Sequence, residues 1–473
     1  MQVMHHQLDQ QDYLGCIRAH LDAVLADGTD HYGPRATAMW VASLDTQART
    51  YPVDEPKARA GQRVYRDIDT PFGSAIYWDQ PALVAAHALS RVTGDDRYAR
   101  AADDYVRDFL AVGIAESGLF AWGNHVYYDV FTDEITRFHG GPHEMRPIPP
   151  AWELFWRVSP EATEQQIRAA GRLHLFDPQT GGFNRHADGQ PGCAFLETGG
   201  ILVEMLCWLG QRTGDAALYD TALRIANYSY SHRNPQTGLL ENNPTETRWD
   251  KWMCTTEVGV WAGSLLRAAD YSGRPEFAQM AHDAVAAYLR FGYDAAARRY
   301  YGKLRVADGT HVPSAPGDVP GLNSFYQPAT YADPWNAYFP THDYPIALAE
   351  TCVALYRLTG EEIFAEAIDR WAGVLYETPP PAQTANGHGE YAELYGRDIH
   401  FLLHAADATG NTAYRTQAVA FADQAIDRLF AHGMFRTHAG EDRADAVDGV
   451  GYLLLALLYL QTGEPAESLG FGF

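Results

Sequence analysis

Apolar residues recur at i, i+3, i+4 and i+7 ahead of a Thr-Gly or Ser-Gly dipeptide at six places along the chain. The stretches are "ALSRVTGDDRYARAADDYV", "CWLGQRTGDAALYDTALRIA", "LRAADYSGRPEFAQMAHDAV", "ALYRLTGEEIFAEAIDRWA", "HAADATGNTAYRTQAVAFA" and "LLYLQTGEPAES". That period predicts an amphipathic helix before each dipeptide. Gly94, Gly214, Gly273, Gly360, Gly410 and Gly463 then supply the left-handed residue that stops it. In most copies an acidic or small polar residue follows and opens a second helix, so each stretch reads as a helix–turn–helix joint. The glycines lie 120, 59, 87, 50 and 53 residues apart, and the widest gap has room for an additional hairpin. Alternating β patterns are scarce, which makes the fold class all-α.

Insertions rich in Trp, Tyr, Gly and Pro fall between hairpins rather than at the even intervals of an open solenoid. The expected architecture is therefore a closed (α/α) barrel, a toroid of about six or seven repeated helical hairpins whose inner helices present loops to one central cleft. No Gly, Ser or Pro linker separates two halves; Tyr376 to Tyr391 reads as a loop inside the pattern. Residues 1–473 are accordingly read as a single (α/α)-barrel catalytic domain.

A hydrophobic content of 46% allows a large core. Sixty acidic residues against 36 basic ones give a formal charge of −24. That balance excludes nonspecific binding to nucleic acid or to an anionic membrane, so an anionic ligand needs a local positive site. Cys16, Cys193, Cys207, Cys254 and Cys352 are scattered and form no CxxC pair, which points away from a disulfide framework or a cysteine zinc site. The most apolar run, "VGYLLLALLYL", is too short to span a bilayer, and the N-terminus lacks a basic segment followed by an apolar one. The reading is a cytoplasmic protein, with periplasmic residence open to a chain whose leader has been trimmed. The sequence carries no signal of oligomeric state.

Three loops carry the candidate chemistry. In "FAWGNHVYYD" a turn presents His125; in "FHGGPHEMRPIPPAWELFW" Glu144 stands between His143 and Arg146; in "GGFNRHADGQ" Arg185 and His186 follow turn glycines. Two imidazoles and a carboxylate, His125, Glu144 and His186, suit a divalent transition metal such as Mn, Fe, Co, Ni or Zn. From residue types alone a solvated role for each histidine, and a carboxylate-clamping role for Arg185, stand beside that reading.

The blocks "WGNHVYYD", "HEMRP…WELFWRVSPEAT" and "HLFDPQTGGFNRHA", covering Ala121 to Ala187, resemble the family 2 polysaccharide lyases, (α/α)-barrel pectate lyases that act on polygalacturonate. The resemblance implies that His125, Glu144 and His186 hold a metal, Mn foremost, and that Arg185 is the Brønsted base. It further implies metal-assisted β-elimination on an acidic oligo- or polysaccharide. Such chemistry removes the proton at C5 of a uronate, which is too weakly acidic until the neighbouring carboxylate is neutralised. Arginine is ordinarily fully protonated, and a base of this kind needs a site that penalises its charge.

Substrate-binding candidates are Arg146, Lys251, Lys303 and Arg397 for carboxylates, Trp122, Tyr127 and Trp252 for sugar faces, and Asn184 as an orienting group. A glycoside hydrolase on the same toroid, of unsaturated-glucuronyl hydrolase or β-glucuronidase type, is the alternative. It requires a carboxylate pair, for which Asp79, Glu197, Glu257 and Asp343 are available.

Overall fold

The computed structural model describes residues 12–52, 73–123, 126–137, 143–245, 252–312, 330–335, 345–380, 389–446 and 449–465. The repeated dipeptide has a local physical cause. Thr93, Thr213, Ser272, Thr359, Thr409 and Thr462 each donate a side-chain hydroxyl to the carbonyl four residues back, at 2.7–2.9 Å. In five of the six the same oxygen accepts the amide two residues on, at 3.2–3.3 Å. The following glycine takes φ between 67° and 77° and donates its own amide to the helix at 2.8 Å. Hydroxyl and glycine together satisfy carbonyls that a helix end leaves bare.

Five of these turns join helices directly: α2 (Ile76–Thr93) to α3 (Arg97–Val112), α6 (Leu196–Thr213) to α7 (Ala216–Ser231), α8 (Thr255–Ser272) to α9 (Pro275–Gly292), α10 (Ile346–Thr359) to α11 (Glu362–Glu377), and α12 (Ala392–Thr409) to α13 (Thr412–Leu429). The widest gap holds the extra hairpin, α4 (Trp152–Val158) and α5 (Pro160–Leu173), joined through Ser159, which caps α5, and Pro160 at its first turn. The sixth joint differs from expectation. Gly463 ends α14 (Val450–Thr462), but the outer partner of α14 is α1 (Tyr13–Asp27), from the other end of the chain. Seven hairpins result among the described residues.

The even-numbered helices form the inner ring. Helices α6, α8, α10, α12 and α14 pack side by side in that order, and α14 packs on α2. Gln80 of α2 carries the ring on to α4, donating to the Pro149 carbonyl at 3.1 Å and accepting the Ala151 amide at 2.8 Å. Trp152 of α4 then meets Trp208 of α6, ring to ring at 6.4 Å. The outer helices bury one stripe each, whereas α14 is buried on nearly every side, which accounts for its uninterrupted apolar run. The fold is the expected all-α (α/α) toroid.

Short β ladders collect at one end of the ring. Gly73–Ser74 pairs with Val126–Asp129 just before α2, Trp252–Cys254 pairs with Lys303–Arg305 just before α8, and Ser43–Asp45 pairs with Arg443–Asp445 a few residues before α14. Each strand spans two to four residues, too few to leave an alternating signature. These ladders mark the mouth of the toroid, at the N-terminal ends of the inner helices.

Candidate active site

Two of the three loops meet at this mouth. Glu144 and His186 face each other across an antiparallel bridge, secured by the Met145 amide donating to the Arg185 carbonyl at 2.9 Å. Glu144 is held from its other side by Trp122, whose carbonyl accepts the Glu144 amide at 2.9 Å. Gly123 leaves room for this approach, since a Cβ there would lie 3.3 Å from the Glu144 Cβ.

The Arg185 Nε lies between the two side chains, 3.0 Å from the Glu144 Oε1 and 3.3 Å from the His186 Nε2. A guanidinium can only donate, so His186 accepts through Nε2 and carries its proton on Nδ1. Burial drives the His186 pKa down, helped by the charge of Arg185 and opposed by Glu144. The imidazole is therefore neutral, the form that binds metals. Arg185 stacks on Phe195 at 5.0 Å, and its terminal nitrogens make no hydrogen bond among the described residues.

A buried relay sets the register of the two loops. The Asn184 carbonyl can only accept, so His174 donates to it from Nδ1 at 2.7 Å. His174 Nε2 then accepts from the His143 Nδ1 at 2.8 Å, and His143 Nε2 accepts the Gln166 amide at 2.6 Å. Gln166 Oε1 finally takes the Phe120 amide at 2.6 Å. The chain closes only if both imidazoles are neutral, and burial keeps them so, lowering His174 to about 4. His143 precedes Glu144 and Asn184 precedes Arg185, so the relay fixes the arginine against the carboxylate. Sequence reasoning saw His143 only as a neighbour of Glu144 and gave His174 no role.

Basic and acidic groups alternate around this centre. Arg146 Nη1 is 3.8 Å from the Glu144 Oε1, and Tyr77 has Arg146, Tyr452 and Glu144 as electrostatic neighbours. Arg397 lies over the Tyr452 ring at 4.0 Å and pairs with Glu393 at 3.0 Å. Lys303 caps the Trp252 ring at 4.3 Å. Glu197, in the first turn of α6, is buried, and burial raises its carboxyl to about 7 against the pull of Arg185 and Arg146. Glu257 is buried in the equivalent turn of α8.

Other sequence candidates have different places. Trp122 is 1% exposed and sits edge-on to Tyr77 and Phe155, so it has no face for a sugar. Tyr127 is buried as well. Asn184 staples its own turn, donating to Asp188 and to the Gln190 carbonyl and accepting the His186 amide, rather than orienting Arg185. Asp79 is buried against Tyr105. His125, Lys251 and Asp343 lie outside the described residues.

Glu144 and His186 aim an oxygen and a neutral imidazole nitrogen at one point where a positive group resides. Their donor chemistry fits a divalent transition metal.

This segment matches a known family. Residues 74–198 match Pectate_lyase_2, described as periplasmic pectate lyase, over the stretch that contains Glu144, Arg185, His186 and Glu197. Among solved structures, the GH76A α-1,6-mannanase from Salegentibacter sp. HEL1_6 is 9% identical over 96% of this chain and 100% of that one, with a TM-score of 0.49. An unsaturated glucuronyl hydrolase specific for heparin is 11% identical over 95% and 97%, with a TM-score of 0.49. The unsaturated glucuronyl hydrolase from Bacillus sp. GL1 is 12% identical over 96% of each chain, with a TM-score of 0.45. No helix among the described residues is long and apolar enough to cross a membrane.

Proposed function

We propose that this protein is a polysaccharide-degrading toroid enzyme that cleaves a uronate-containing glycan by β-elimination, with Arg185 as the base. The observation that carries the reading is the guanidinium held between Glu144 and His186, inside the segment matching the pectate lyase family.

Elimination needs three things from the protein: a base at C5, a means of neutralising the C6 carboxylate, and exclusion of water. Arg146, Lys303 and Arg397 are buried or nearly so and supply positive charge for uronate carboxylates in a chain that is otherwise strongly acidic. Phe195 under Arg185 shields one face of the guanidine from solvent. Glu144 and Arg185 form an ion pair at 3.0 Å. Glu144 and His186, with His125 as the third ligand implied by resemblance, would hold a divalent metal, which would supply positive charge to neutralise the substrate carboxylate. Arg185, having first released a proton to solvent, accepts the C5 proton on a terminal nitrogen as the neutral guanidine; the C5–H electron pair becomes the C4=C5 double bond and the C4–O4 pair leaves on the departing oxygen. The departing oxygen takes its proton from solvent.

One observation favours a second reading. Glu197 is a carboxyl titrating near neutrality beside Glu144, as a hydrolase acid would. The two chemistries leave different products. Incubation with polygalacturonate and glucuronate polymers should yield ultraviolet absorbance from the conjugated double bond, and chelator should abolish it. Arg185→Ala should lower kcat by about 10³-fold, the middle of the range for losing a general base. New reducing ends without absorbance, insensitive to chelator and lost in Glu197→Gln, would replace elimination with hydrolysis.

A further inference from the structure

A second group of metal-type ligands lies inside the ring, away from the mouth. His400 and His404 are one turn apart on α12, about 12 and 18 Å along that helix from its mouth end. Glu350 projects from α10, the neighbouring inner helix. Its Oε1 is 2.8 Å from the His400 Nδ1 and its Oε2 is 2.8 Å from the His404 Nδ1. One donor atom from each of the three residues lies within 4.8 Å of the others.

We propose that Glu350, His400 and His404 form a second divalent-metal site, selective for a first-row transition ion and separate from the Glu144 centre. Ligands about 2.1 Å from a metal and at right angles to each other stand about 3 Å apart, close to the oxygen–nitrogen separations already present. Spacing of i, i+4 places both imidazoles on one helix face, and the carboxylate comes from the adjacent helix, so small side-chain adjustments bring the three donors onto one ion. Two imidazoles and one carboxylate on one side leave the remaining coordination positions open.

Those positions have somewhere to point. The triad lines a cavity of about 310 Å³ in the bore, which it shares with Arg267, Arg357 and Tyr271 and which extends to Arg397 and Tyr452 on the mouth side. Glu350 and His404 retain 12% and 13% side-chain exposure, and His400 only 1%, so the site is reachable on one side and dry on the other. Gly259 and Gly263 of α8 also line it, where that helix packs against α10. Rigid helices set the ligand positions here, whereas loops set them at the mouth.

Cobalt(II) titration tests the proposal independently of the mouth chemistry. A Glu144→Ala/His186→Ala variant should still bind one Co(II) per chain, read by visible absorbance and elemental analysis. Adding His404→Ala, or Glu350→Gln, should weaken that binding at least tenfold. Should circular dichroism show the double variant unfolded, wild type compared with His404→Ala serves instead, and loss of one equivalent is the expected result. Absence of Co(II) from the folded double variant, or stoichiometry and affinity unchanged by His404→Ala and Glu350→Gln, would overturn it.

Discussion

At their C-terminal ends, six of the seven inner helices stop in the same way: a hydroxyl folded back on the last turn, then a glycine near φ 70°. At their N-terminal ends they start differently from one another. Short ladders, an imidazole relay and a cluster of buried carboxylates and guanidiniums occupy that side. The rear of the toroid is built from contacts a few residues long, and the mouth from contacts between distant loops. Stability contributed by the rear turns should therefore be insensitive to pH, while the mouth carries many of the ionisable groups that folding desolvates.

Asp79 gives the largest effect on stability. It sits in the first turn of α2, fully enclosed, accepting from the Tyr105 hydroxyl at 2.5 Å and from the Ala75 amide at 3.1 Å. Burial raises its carboxyl from 3.8 to about 7, and the two hydrogen bonds only partly oppose this. A folded pKa above the unfolded one means the native state binds the proton more tightly. The contribution is thus fully present below pH 3.8 and is lost as pH rises through about 7. Three pH units of difference correspond to about 4 kcal/mol. Urea unfolding at pH 5 and pH 8 should show Asp79→Asn gaining on the wild type by about 3 kcal/mol at the higher pH. A difference between the two proteins that stays constant across that range would show the mouth to be no more pH-sensitive than the rear.

The same division explains what could be read in advance. Joints at Gly94, Gly214, Gly273, Gly360 and Gly410 were legible because hydroxyl, glycine and helix period lie within one short window. The partnership of α1 with α14 was not, because it joins segments more than 400 residues apart that carry no shared motif. At the mouth, the pairing of Glu144 with His186 followed from a family resemblance rather than from spacing, since 41 residues of intervening chain say nothing about a bridge. The relay through His143 and His174 was hidden for the same reason, and Trp122 was misplaced because an aromatic residue in a loop motif reads alike whether it faces sugar or core. The bore triad had half a signal, the His-x-x-x-His of "DIHFLLHAAD", but its carboxylate comes from another helix.

Glycine substitutions sharpen the contrast through backbone rather than charge. Gly451, in the first turn of α14, packs against α2 so closely that a Cβ would lie 2.3 Å from the Ala82 nitrogen and 2.6 Å from the Pro81 carbonyl carbon. Gly259 and Gly396 meet their neighbouring inner helices in the same way, at 2.4 Å in each case. Alanine normally improves a helix interior by about 1 kcal/mol over glycine. Here the clash is with main chain that cannot swing aside, so Gly451→Ala should instead destabilise by about 3 kcal/mol, the upper end for overpacking. Gly214 at the rear supplies the smallest effect. Nothing lies within 4 Å of its would-be Cβ, and the whole penalty comes from holding alanine at φ 73°. That costs about 1 kcal/mol, and denaturant midpoints should rank Gly451→Ala well below Gly214→Ala, with the order unchanged between pH 5 and pH 8. Equal losses at the two positions would mean that the inner helices can part by about an ångström at little cost, and that ring closure at the mouth is looser than these contacts describe.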